Sequence, residues 1–179
     1  NKGLDIKLKG EAEKVFVEIP PSETIVIKPT DFIGVRPKLA VKVGDEVKAG
    51  TSIFMDKENE KISFSSPTSG EVVEINRGEK RKLLEIKILA DKEVQYEPFT
   101  KANPNDLSKE EITELILSSG AWPMIKQRPF ATIANPSDKP KAIFISAFDS
   151  SPLAPDYDFI LHGHGEEFQS GIDALSKLT

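Results

Sequence analysis

The chain has no cysteine among its 179 residues. That excludes a disulfide framework, thiolate metal ligands, cysteine-held iron–sulfur clusters and a cysteine nucleophile. No apolar run approaches the roughly 20 residues a membrane-spanning helix needs. The opening NKGLDIKLKG is polar and does not follow a signal-peptide pattern. A broad basic surface is also missing: the net charge is −5, so no nucleic-acid partner is expected. There is no low-complexity tract, because the 13 prolines are scattered as punctuation.

What remains is a globular composition, with 38% hydrophobic and 30% charged residues. The length suits one ordinary domain, or one small domain and part of another. Residues 1–100 read as β. The runs VFVEI (15–19), TIVIK (24–28), LAVKV (39–43), SIF (52–54), KISF (61–64), EVVEI (71–75) and LLEIKIL (83–89) are short, apolar or alternating, and bounded by turn formers.

The pattern changes over residues 101–179. Ser108 and Glu111 form a capping-box signature, Ile112, Leu115 and Ile116 share a helical face, and Gly120 supplies the stop. AIFIS (142–146) and DFIL (158–161) read as buried strands, and EEFQSGIDALSKL as a helix burying Phe168, Ile172, Leu175 and Leu178. This order predicts the beginning of a Rossmann-like α/β domain behind a β domain, a multidomain α+β chain. Two strands and one helix cannot cover both faces of such a sheet. An N-terminal portion of a longer protein is therefore expected, and the initial Asn in place of Met fits a trimmed chain.

VKVGDEVKAG (41–50) and PTSGEVVEI (67–75) place turn formers where a pair of β units would fold over one another. Val41, Val43 and Val47 are expected to face the core, with Gly44-Asp45 making the turn between them. The pair resembles the two halves of a biotinyl/lipoyl carrier, a barrel-sandwich hybrid, over residues 35–90. In those carriers one lysine stands at a hairpin tip. Counted from Gly50 the tip position falls on Glu60, and counted back from Pro67 it falls on Asn59. Lys57 lies early, on the hairpin arm. The carrier alternative, with a covalent cofactor on Lys57, is weaker than a solvated lysine in DKENEK.

The blocks GVRP, SPTSG, INRGEKR, SGAWPMIKQRPF, AIFISAFDSSPLAP and EEFQSGIDALSKL closely resemble, in order, the A-subunit family of bacterial sodium-translocating NADH:quinone oxidoreductases. More remotely the pattern is similar to the C subunit of the Rnf electron-transfer complex and the flavin subunit of respiratory complex I. The resemblance implies a peripheral subunit on the cytoplasmic face of the bacterial inner membrane. Its complex passes electrons from NADH to ubiquinone through flavins and iron–sulfur centres and exports sodium. It further implies other subunits as partners, no obligatory redox cofactor of its own, and a link to the quinone end. The fragment alone is expected to be inactive, and a purely structural scaffold is the remaining alternative.

In the flavin-binding relatives a glycine-rich loop follows the first helix, and its bare amides cradle a phosphate. Here Ala121 to Arg128 holds bulky side chains and Pro123, so no flavin is expected there. Trp122, Met124 and Phe130 occupy that place. Core packing of Trp122 and Phe130 is the plain reading, and an apolar crevice near quinone the sharper one. His162, His164, Glu166 and Glu167 are adjacent but have no second cluster to close a metal shell. Gly163 and Gly165 read as a strand-to-helix loop, since the acidic residues behind them repel phosphate. Arg77, Lys80, Arg81 and Lys82 crowd one hairpin, either as a solvated turn or as a docking point for a partner or anionic lipid. Asp149, Ser150 and Ser151 follow a strand end, but no histidine is linked to either serine, so hydrolase chemistry has no support.

Overall fold

A computed structural model describes residues 9, 10, 12–151 and 153–179. The first eight residues of the polar opening segment lie outside that set. The β half contains β1 (Thr24–Ile27), β2 (Pro37–Leu39), β3 (Glu46–Val47), β4 (Ser52–Asp56), β5 (Ser63–Ser65), β6 (Gly70–Arg77) and β7 (Leu83–Ala90). They form two antiparallel sheets, one in the order β1-β7-β6-β3 and the other β2-β4-β5. Alternation along β6 and β7 turns Val72, Leu83, Ile86 and Ile88 inward, where they meet Ile53, Phe54, Ile62 and Phe64. Burying each such side chain contributes roughly 1.5–3 kcal/mol. Phe54 and Phe64 stack at 4.3 Å, and Phe32 meets Phe64 edge-on at 4.6 Å. This is a barrel-sandwich hybrid.

The Gly44-Asp45 turn is stitched to β6 by two bonds. Gly44 N–H donates to Val72 O at 2.8 Å, and Val72 N–H donates to Asp45 O at 2.9 Å. Val47 is buried as expected, but Val43 faces solvent because β2 ends at Leu39 and the chain leaves the sheet before it. Gly70 is required by close approach: a Cβ there would lie 2.0 Å from Leu89 O.

A correction concerns the start of this half. VFVEI is not a strand; Val15, Phe16, Val17 and Ile19 are exposed, and Phe16 stacks on Phe159 at 4.8 Å. The available sheet edge beside β7 is already taken by β1, which leaves that apolar run no ladder on that side.

The second part is α/β in composition. Helix α1 (Lys109–Ser118) begins at the expected capping box: the Ser108 hydroxyl donates to Glu111 at 2.7 Å, and the Ser108 amide donates to the same carboxylate at 2.8 Å. Ile112 and Leu117 are its buried residues. After a 3-10 turn at Trp122–Met124 come the small hairpin β8 (Lys126–Gln127) and β9 (Thr132–Ile133), then α2 (Tyr157–Ile160) and α3 (Gly165–Ser176).

The predicted strands AIFIS and DFIL are not strands. Among the described residues AIFIS pairs with no strand, and the nearest strands in sequence, β8 and β9, pair with each other. DFIL becomes the single turn α2 because the Asp156 side chain caps it, accepting from Phe159 N–H at 3.2 Å. On α3 and just beyond it, Leu178 is buried and Ile172 and Leu175 are half-buried, but Phe168 is 38% exposed and is not among the residues packed on the core. Ile112, Leu117, Trp122 and Leu178 join the β-half residues in one continuous core.

Candidate functional site at the hairpin tip and helix junction

The tip that presents a lysine in carrier domains lies between β4 and β5. Asn59 and Glu60 sit in the middle of this connection, as counted from the sequence, and Lys57 is exposed one residue past β4. The tip is a closed turn. Asn59 N–H donates to Asp56 O, Ile62 N–H to Asn59 O, and Asp56 N–H to Ile62 O. The Asp56 carboxylate accepts from the amides of both Arg36 and Glu58. Lys57 is tied by its own backbone, donating to Arg36 O at 2.8 Å.

Two cations of the neighbouring strand segment fasten the acidic tip from outside. Arg36 pairs with Glu58, and Lys38 pairs with Glu60 at 2.5 Å. Sequence reading missed Arg36 and Lys38. Their signal is the alternation in Arg36-Pro37-Lys38, which β2–β4 pairing converts into two cations facing one acidic loop. Exposed pairs like these contribute little stability each, but together they fix the loop's direction.

The following strand fixes the tip to the second half. Ser63 and Ser65 hydroxyls donate to Leu117 O and Ser119 O at the end of α1, each at 3.3 Å. Beside this seam a cleft of about 580 Å³ is lined by Asn59, Lys61, Lys109, Glu114 and Asp138, among others. Its charges are of mixed sign, and Lys109 is already engaged with Leu178 O at 2.7 Å.

Past the seam, Trp122 is 5% exposed, and its indole N–H donates to Ala134 O at 2.7 Å. Met124 and Phe130 are 72% and 79% exposed. Core packing therefore holds for Trp122 and fails for Phe130, which the β8–β9 connection carries outward. None of the three lines that cleft. The amides of Met124 and Ile125 are spent inside the 3-10 turn, donating to Ala121 O and Trp122 O.

Arg77, Lys80, Arg81 and Lys82 do gather at the β6–β7 tip. Lys80 and Arg81 adopt φ of 53° and 60°, and Arg77 donates to Arg81 O at 3.2 Å. His162, His164, Glu166 and Glu167 are exposed; the two histidines lie between α2 and α3 and the two glutamates in the first turn of α3, so the group follows a helix and not a strand. Among the described residues no group of three or more His, Asp or Glu is placed to hold a metal. Asp149 accepts from the Ser151 hydroxyl at 2.6 Å and its amide at 2.8 Å, and these bonds hold its carboxyl below the ordinary value. That is a loop turn closed on itself.

Residues 1–91 match the family model described as the NqrA N-terminal barrel-sandwich hybrid domain, and residues 107–179 match the NqrA second alpha/beta domain. The chain belongs to the NqrA family. It is 36% identical over 180 residues to proteins of Yersinia pseudotuberculosis and Vibrio vulnificus, and 34% identical to one of Pseudomonas aeruginosa. Each of the three is named as the A subunit of a Na(+)-translocating NADH-quinone reductase. The alignments cover 99% of this chain and 40% of each relative, so the chain spans about two-fifths of their length. Among the described residues no helix is long and apolar enough to cross a membrane.

Proposed function

We propose that this chain is the front portion of a peripheral A subunit in a sodium-translocating NADH:quinone reductase, on the cytoplasmic face of the inner membrane. The barrel-sandwich hybrid serves there as a fixed structural module. The observation that carries this is the hairpin tip: the lysine position holds Asn59 and Glu60, the loop is paired with Arg36 and Lys38, and the strand that follows it, β5, is bonded to the end of α1. A carrier arm has to expose its lysine and reach several active sites. This tip has neither the lysine nor the freedom.

NADH oxidation, flavin and iron–sulfur chemistry belong in this reading to other subunits. The absence of cysteine and the self-bonded turn at Trp122–Met124 support assigning no redox cofactor to this chain. Its contribution to electron transfer coupled to sodium export is positional, at the quinone end. The exposed apolar side chains of Met124 and Phe130, near the rigid Trp122 in sequence, support a quinone-proximal surface. The cationic β6–β7 tip is assigned to docking on a partner within the complex.

Affinity capture of the tagged full-length protein from detergent-solubilised membranes tests this reading. NADH:quinone reductase activity that responds to sodium should elute with it. Capture of the protein without any redox-active membrane partner would reject the assignment.

A further inference from the structure

The apex of the β6–β7 ribbon holds two cations in a backbone conformation that their side chains oppose. Lys82 N–H donates to Glu79 O at 3.1 Å and closes a four-residue turn with Lys80 and Arg81 at its centre. Both central residues have positive φ, 53° and 60°. Turns of that pattern are normally filled by Asn-Gly, Asp-Gly or Gly-Gly, because in the left-handed region a Cβ crowds the following carbonyl. Neighbouring bonds keep the strained pair in place. Gly78 N–H donates to Lys82 O at 2.8 Å, and the Arg77 guanidinium donates to Arg81 O at 3.2 Å.

A solvated turn gains nothing from this strain, since Asn-Gly makes the same bend without it. What Lys80 and Arg81 add is charge. Residues 77–82 carry four cations and one carboxylate, on a chain whose net charge is −5. All four cations are exposed, and among the described residues none is in an ion pair. Further along the same ribbon Lys87 is matched with Glu74 at 2.7 Å. Strain retained at side chains that the fold leaves unmatched points to a function for them.

We infer that this rigid cationic apex docks against a carboxylate-bearing surface of another subunit, which rests on the reading of the chain as part of a multi-subunit complex. Charge complementarity selects a protein over a lipid bilayer. An anionic bilayer favours uniform positive charge, and firm anchoring adds an apolar side chain sunk among the headgroups. Residues 76–82 contain no apolar side chain, and Glu79 stands among the cations. A protein surface can match that mixed pattern charge for charge. It can also engage the planar forks of N–H donors that Arg77 and Arg81 offer to carboxylates.

The tagged full-length protein tests this in three forms: the parent, Lys80→Asn with Arg81→Gly, and Lys82→Glu. The first variant gives the turn its preferred residues and should raise the melting midpoint of the purified protein by a few degrees. It should also capture on the order of tenfold less of the redox-active partner from detergent-solubilised membranes. Lys82→Glu leaves both positive-φ positions alone, and should lower capture similarly with the midpoint unchanged. Parent-level capture by both variants would overturn the inference, and so would an unraised midpoint in the first. Parent binding to vesicles of equal parts phosphatidylglycerol and phosphatidylcholine, lost in Lys82→Glu while partner capture persists, would assign the apex to lipid instead. If the parent captures no redox-active partner, the complex reading itself is rejected and this inference falls with it.

Discussion

Gly120 stands directly over Ser65: a Cβ on Gly120 would lie 2.1 Å from the Ser65 hydroxyl oxygen and 2.9 Å from its Cβ. Gly120 also has φ of +74°, and the same hydroxyl donates to Ser119 O at 3.3 Å. One glycine therefore ends α1 and lets the helix end press against β5. Gly120→Ala combines a left-handed alanine, about 1–2 kcal/mol, with a contact that β5 must retreat to relieve. A destabilisation of at least about 2 kcal/mol is expected in chemical unfolding. The double variant Gly120→Ala, Ser65→Ala should recover only part of it, since the backbone conformation and the Cβ contact remain.

The capping box of α1 makes helix stability depend on pH. The Ser108 hydroxyl first, and the Ser108 amide second, hold the Glu111 carboxyl below its ordinary value. A lowered folded-state pKa contributes stability that is present above the unfolded value and lost as pH falls through the folded one. Ser108→Ala should cost about 1 kcal/mol near neutral pH. The difference from the parent chain should shrink on acidification through the carboxylate range, without vanishing, because the bond from Glu111 N–H to Ser108 Oγ is independent of pH. A constant difference across that range would show that the carboxylate takes no part.

Trp122 reports on the proposed quinone-proximal surface. Its indole is buried and bonded to Ala134 O, so free collisional access is small. A short-chain quinone binding over Met124 and Phe130 should quench Trp122 emission saturably in the full-length protein, and Met124→Ser with Phe130→Ser should abolish the saturation. Linear quenching in the parent protein, unaltered by those substitutions, would remove quinone from this face.

Much of the β half is legible in the sequence because its strands carry their own punctuation. Leu83, Ile86 and Ile88 are separated by residues that face outward or lie at the rim, and Gly70 sits where β6 crosses β7 closely. The capping box is legible for the same reason, since Ser108 and Glu111 find each other within one turn. Partners distant in sequence are not. Arg36 with Glu58 and Lys38 with Glu60 depend on β2–β4 register. AIFIS misleads because strand composition reports what a segment can pair with, while a strand also needs a neighbour in place. DFIL misleads because a local Asp156 cap decides a four-residue segment when no sheet competes. Aromaticity alone puts Phe130 in the core, and the β8–β9 turn directs it outward.

In the proposed function, a carrier fold is kept without carrier function. Intact-mass measurement after co-expression with biotin and lipoyl ligases tests that claim most directly. Asn59 and Glu60 occupy the tip, and Lys57 is bound by its backbone to Arg36 O on the arm, so the chain should leave both ligases with its unmodified mass. A biotinyl or lipoyl increment that maps to Lys57 or Lys61 would contradict it.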